Sequence, residues 1–134
     1  MISSRIVSAP GSSDYYFGGV CCYANRVKIN ILGLKHETLD MAGAVSENAS
    51  IEMAKSIRQL MESDYALSTT GIAGPSGGTA EKPVGLVWIG FSSKEKNRAV
   101  SFNFGINRAN NIQRTSMRAL EILRRELLNI KLEF

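Results

Sequence analysis

The chain has 134 residues, with 44% hydrophobic and 21% charged residues and a formal net charge of +4. That length suits one domain, residues 1–134, with a core of its own. No apolar run approaches the ~20 residues of a membrane span. The start, MISSRIVSAPGSSDYY, lacks the long apolar core of a secretory leader. These features predict a cytoplasmic protein. The mild positive charge suits an anionic small molecule. No basic stripe interleaved with aromatics argues for nucleic acid as a partner.

In chain order, residues 2–8 read as a helix ended by Ala9-Pro10-Gly11, with no capping signal in front of it. Residues 17–23 (FGGVCCY) read as a strand. Adjacent cysteines on a strand point to opposite faces, which argues against a disulfide between Cys21 and Cys22. With His36 as the sole histidine and no third cysteine, a structural zinc site lacks ligands. Asn25 is placed to cap a helix over 26–32, stopped at Gly33. A short helix over 36–41 follows, broken at Gly43.

Ser46 is an N-cap candidate for a helix striped with Ile51, Met53, Ala54, Ile57, Leu60 and Met61. Residues 65–69 and 84–91 read as strands, the second apolar enough to be buried on both faces. Residues 98–104 alternate and read as an antiparallel partner reached through SSKEKN. A helix over 108–130 closes the chain, with Ile112, Met117, Leu120, Leu123, Leu127 and Ile130 inward. The order predicts an α/β fold, a mixed sheet with helices packed on it.

Between the strands 65–69 and 84–91 lies TTGIAGPSGGTAEKPVG, with Gly71, Gly74, Gly77 and Gly78 close together. Glycines let a backbone approach a ligand, and successive N–H groups can cradle an anion. Thr70 and Thr79 add hydroxyls and Lys82 a charge. No Gly-Lys-Ser/Thr follows, and the spacing is not that of a dinucleotide fingerprint. The residues alone leave two readings, a wide turn needing glycine for shape or a ligand-holding loop. A second constellation is Tyr23-x-Asn25-x-x-Lys28 at the entry to a helix. A lysine becomes a general base only where burial or another cation lowers its pKa. Asn25 as a cap with a solvated Lys28 is the plainer alternative. His36 reads as a surface or cap residue. The arginines of the last helix read as a solvated face. Arg108 differs, standing at that helix's start where it could meet a phosphate.

The stretch TGIAGPSGGTAEKPVG (70–85) resembles the signature of the C-terminal domain of the CinA competence/damage-inducible proteins, whose stand-alone relatives are nicotinamide-nucleotide amidohydrolases. GSSDYYFGGVCCYANRVK (11–28), GAVSE (43–47) and EMA (52–54) resemble further motifs of that family. The resemblance covers nearly the whole chain. It implies a three-layer α/β/α domain. It also implies hydrolysis of nicotinamide mononucleotide to nicotinic acid mononucleotide and ammonia, in pyridine-nucleotide recycling, without metal or redox cofactor and in a homodimer. The implied mechanism is acyl transfer through a serine. Lys28 would be the base and Tyr23 its helper. Asn25, Thr70, Gly71, Gly74, Gly77, Gly78 and Thr79 would contact the substrate, and Arg108 its phosphate. The family's nucleophile segment, like E-S-C-T-G-G, does not occur in these residues. The expectation is therefore a domain lacking an N-terminal strand and impaired in hydrolysis. The alternative is a non-catalytic nucleotide-binding or interaction module linked to competence or DNA damage.

Overall fold

A computed structural model of the chain describes residues 1–130; the end of the expected domain, 131–134, lies outside the described residues. The helices are α1 (Ile2–Val7), α2 (Asn25–Leu32), α3 (His36–Ala42), α4 (Glu47–Leu60) and α5 (Arg108–Leu127). The strands are β1 (Tyr65–Gly71), β2 (Leu86–Ser93) and β3 (Asn97–Asn103). The three strands form one sheet in the order β1-β2-β3, antiparallel throughout, with Thr69 opposite Ile89 and Ile89 opposite Val100. Helix α4 lies on one face across all three strands, and α5 lies on the other with α1 against it. This is the α/β class with helices on a sheet, in three layers.

The two faces of β2 pack differently. Val87, Ile89 and Phe91 join Ala119 and Ile122 of α5 in the larger core cluster. The α4 side is built from small and polar groups instead. Ser68 Oγ donates to the Ser50 carbonyl at 2.5 Å, and Arg58 Nε donates to Ser92 Oγ at 3.0 Å. A Cβ on Gly90 would collide with the Ser50 carbonyl, so α4 sits closer to β2 than a side chain at 90 would allow. Ser46 caps α4 as expected, its Oγ accepting from Ala49 N at 3.2 Å. A second cluster of Leu32, Leu34, Ala49 and Met53 ties α2 to α4.

Three expectations are corrected. Residues 17–23 form no strand. They make no backbone–backbone hydrogen bond among the described residues, and Val20, Cys21 and Tyr23 are exposed, so no burial favours pairing. Asn25 is the first residue of α2 rather than its cap. That place falls to Ala24, which offers no side-chain bond. Helix α5 is rotated from the expected stripe. Asn111, Ser116, Ala119 and Ile122 are buried, while Met117, Leu127 and Ile130 are exposed. Small residues let α5 settle close to the sheet, and its larger apolar side chains flank a cleft instead.

That cleft exists because β1 has no strand on its outer edge among the described residues. Ile72 N donates to Leu86 O at 2.9 Å, which fixes the alternation of the ladder. Thr70 and Ser68 direct their backbone groups to β2, whereas Leu67, Thr69 and Gly71 direct theirs to the open edge.

Candidate functional site

The cleft along that open edge has a volume of about 1240 Å³. It is bounded by α1, residues 14–23, the start of α2, β1 and the inner flank of α5. Tyr23, Asn25, Lys28, Thr70, Gly71 and Arg108 all line it. So the structure brings the Tyr-x-Asn-x-x-Lys stretch, the entrance of the glycine loop and the α5 arginine to one place. Ile6, Leu67, Leu123 and Leu127 supply an apolar floor and flank.

One wall is chemically simple. Lys28 lies in the first turn and a half of α2, where the helix turns its side chain under the preceding segment. Its residue is only 7% exposed, and its Nζ donates to the Tyr23 carbonyl at 3.3 Å. The Tyr23 side chain points the other way, to solvent, at 85% exposure. Tyr23 thus meets Lys28 through its backbone; its phenol is not hydrogen-bonded to the ammonium. Cys21 is exposed and Cys22 half-buried, both thiols free and both on the cleft. Burial pushes the Cys22 thiol above its ordinary 9.0, with the neighbouring Lys28 charge offsetting part of the rise.

Opposite Lys28 the cleft is lined by Thr70, Gly71, Ala73 and Arg108, where β1 leads into the glycine loop, residues 72–85, whose ties lie behind that end. Gly85 N donates to Ile72 O at 2.7 Å, closing the base of the loop. Thr79 and Lys82 close its tip, with Thr79 N on the Lys82 carbonyl at 2.8 Å and Lys82 N on Thr79 Oγ1 at 3.0 Å. Lys82 Nζ reaches the Ala42 carbonyl at the end of α3, at 2.5 Å. Thr70 Oγ1 donates to Ala44 O at 2.7 Å. At the start of α5, Arg108 Nη1 donates to Gly74 O at 3.0 Å. Asn111 Nδ2 donates to both Ala73 O, at 3.0 Å, and Gly105 O, at 2.8 Å. Gly74 is buried with φ of 86°, and a Cβ there would strike the Val84 side chain and the Ile106 carbonyl, so position 74 is closed to larger residues.

Gly77, Gly78 and Thr79 stand apart from the rest. They are exposed at the loop's tip and do not line the cleft, and neither does the buried Gly74. Two structural residues behind this end of the cleft were not singled out from the sequence. Gly85, at φ 93°, packs so tightly on Gly105 that any Cβ would meet its backbone. Asn111 looked like one more polar residue of a charged helix. The available signal was its place one turn after Arg108, on the same face. Among the described residues, no group of three or more His, Cys, Asp or Glu side chains is placed to hold a metal ion, and no helix is long and apolar enough to cross a membrane.

A three-layer α/β/α domain with a glycine loop stitched to its last helix, and a cleft holding a buried lysine beside the loop's entrance, defines a recognisable class. The family model of the CinA C-terminal domain matches residues 1–127, and the chain belongs to that family. A CinA-like protein of Endomicrobium trichonymphae is 48% identical over 127 residues, which are 95% of this chain and 30% of that protein. A putative competence-damage inducible protein of Thermoanaerobacter pseudethanolicus is 45% identical over 99% of this chain and 32% of its own length. The chain therefore spans about a third of these curated relatives. Among solved structures, a competence/damage inducible protein from Agrobacterium tumefaciens superposes with a TM-score of 0.88 at 35% identity, covering 91% of this chain and 75% of the other. A competence damage-inducible protein A from Klebsiella pneumoniae gives 0.91 at 26% identity, covering 97% and 81%.

Proposed function

We propose that this domain carries the substrate-binding and proton-transfer groups of a nicotinamide mononucleotide amidohydrolase. The observation behind this reading is the pairing of a buried lysine, Lys28, with Arg108 in one cleft. The reaction consumes one water and converts the ring carboxamide to a carboxylate, releasing ammonia. In the serine route that the motifs imply, a hydroxyl attacks the carboxamide carbon and loses its proton to a base. Ammonia leaves with a proton, and water then cleaves the acyl ester. Lys28 takes the part of the base. Arg108, oriented by Gly74 O, takes the phosphate. The N–H of Gly71 on the open edge is a candidate donor to the developing oxyanion. The serine motif E-S-C-T-G-G is not in these 134 residues. Binding without efficient turnover is the expected behaviour of the chain as it stands, since base and binding groups alone retain only part of such catalysis.

The test measures nicotinamide mononucleotide binding and ammonia release for this chain. The same assays follow for the chain extended at its N-terminus with an E-S-C-T-G-G-bearing segment from a relative. Binding by both with turnover restored in the second is expected. Binding with turnover in neither would favour a non-catalytic nucleotide-binding module. Absence of binding in both would overturn the reading.

A further inference from the structure

We infer that Asn111 is a positioning residue that fixes Arg108 for recognition of a phosphate monoester; this rests on the mononucleotide reading above. Asn111 is 1% exposed on a helix whose other buried residues are small or apolar. Its Nδ2 spends both protons on backbone carbonyls from two different segments, Ala73 O before Gly74 and Gly105 O in the turn into α5. Both partners are carbonyl oxygens, which only accept, so the nitrogen's place is dictated by chemistry and not by the symmetry of the amide. Its Oδ1 is left buried without a partner. A buried acceptor without a donor costs stability, and an apolar residue would avoid that cost. What the carboxamide supplies in return is a bracket between the glycine loop and the α5 entry.

The bracket bears on Arg108 directly. Arg108 stands one turn before Asn111 and donates to Gly74 O, the carbonyl next to the one Asn111 holds. Two parallel ties, one residue apart on the loop and three apart on the helix, set the guanidinium's direction. With one N–H held by Gly74 O and the residue on the cleft, the planar guanidinium keeps further donors for the forked contact a phosphate monoester requires. Asp at 111 would set carboxylate oxygens against two carbonyls and open the bracket.

The experiment titrates nicotinamide mononucleotide and nicotinamide riboside, which lacks the phosphate, against wild type, Asn111→Leu, Asn111→Asp and Arg108→Ala. Wild type is expected to prefer the mononucleotide. Asn111→Leu should lose about tenfold or more of that preference, with riboside affinity unchanged. Adding Asn111→Leu to Arg108→Ala should change nothing more, because one acts through the other. Should Asn111→Leu fail to fold, Asn111→Gln keeps both amide protons and is expected to retain part of the preference that Asn111→Asp loses. A folded Asn111→Leu or Asn111→Asp with the full preference would overturn the assignment while leaving the mononucleotide reading intact. A wild type that binds neither compound would overturn both.

Discussion

The two walls of the cleft are built on opposite plans. The side at Thr70, Ala73 and Arg108 is braced from behind by side chains reaching backbone carbonyls, from Lys82 at α3, Thr70 at Ala44, Arg108 at Gly74 and Asn111 at two sites. Among the described residues, the facing segment, 17–24, has one such tie, the bond from Lys28 Nζ to Tyr23 O. The first wall holds its shape before any ligand arrives, so binding there costs little ordering. The second can reshape around what it meets. On the proposed hydrolase reading, recognition would fall to the cross-tied side and proton transfer to the lysine side.

The sharpest way to break this contrast is at Lys28. Lys28→Met keeps the buried stem and removes the charge. In the chain extended with the serine motif, ammonia release should fall about 10²–10⁴-fold, while the melting temperature moves little. A large fall in melting temperature with turnover intact would assign Lys28 to structure. The converse change is Gly85→Ala. Its positive φ and contact with Gly105 leave no room for a methyl, so denaturant unfolding should show a loss of about 2–4 kcal/mol. Mononucleotide binding should weaken with it, because the loop base and the α5 entry meet there. A neutral Gly85→Ala would mean that the loop wall is softer than its hydrogen bonds suggest.

The smallest effect sharpens the picture of the lysine wall. A thiol-alkylating probe followed by mass spectrometry should modify Cys21 before Cys22. Cys21 is exposed, and burial raises the Cys22 thiol above 9.0. A raised thiol pKa leaves less thiolate at any pH below it, so Cys22 labelling should climb at higher pH than for an ordinary thiol. Bound mononucleotide should slow labelling at both, since both line the cleft. Equal rates at neutral pH would show that residues 17–24 open further than the structure indicates.

Much of this arrangement was legible in the residues. The glycine loop announced itself because its constraint is local: strands on each side, and glycines where the chain must fold back. Ser46 was legible for the same reason, a hydroxyl before an amphipathic run. Residues 17–23 were misread because β-branched and aromatic content marks strand propensity, while pairing depends on a neighbouring edge that lies across the cleft. The rotation of α5 was missed because large apolar residues usually mark the buried stripe, and here they line an open cleft. Asn111 carried only its spacing from Arg108 as a signal, since its partners, Ala73 and Gly105, are joined only by the fold.

The order β1-β2-β3 makes every strand a partner of its neighbour in sequence. Closing the sheet requires only the 72–85 loop and the short turn after Ser93, so the entropy of ring closure is small at each step. Low separation between pairing strands goes with rapid assembly. The sheet and its α4 layer can therefore form early, and the site, which draws on residues as far apart as Tyr23 and Asn111, is completed last.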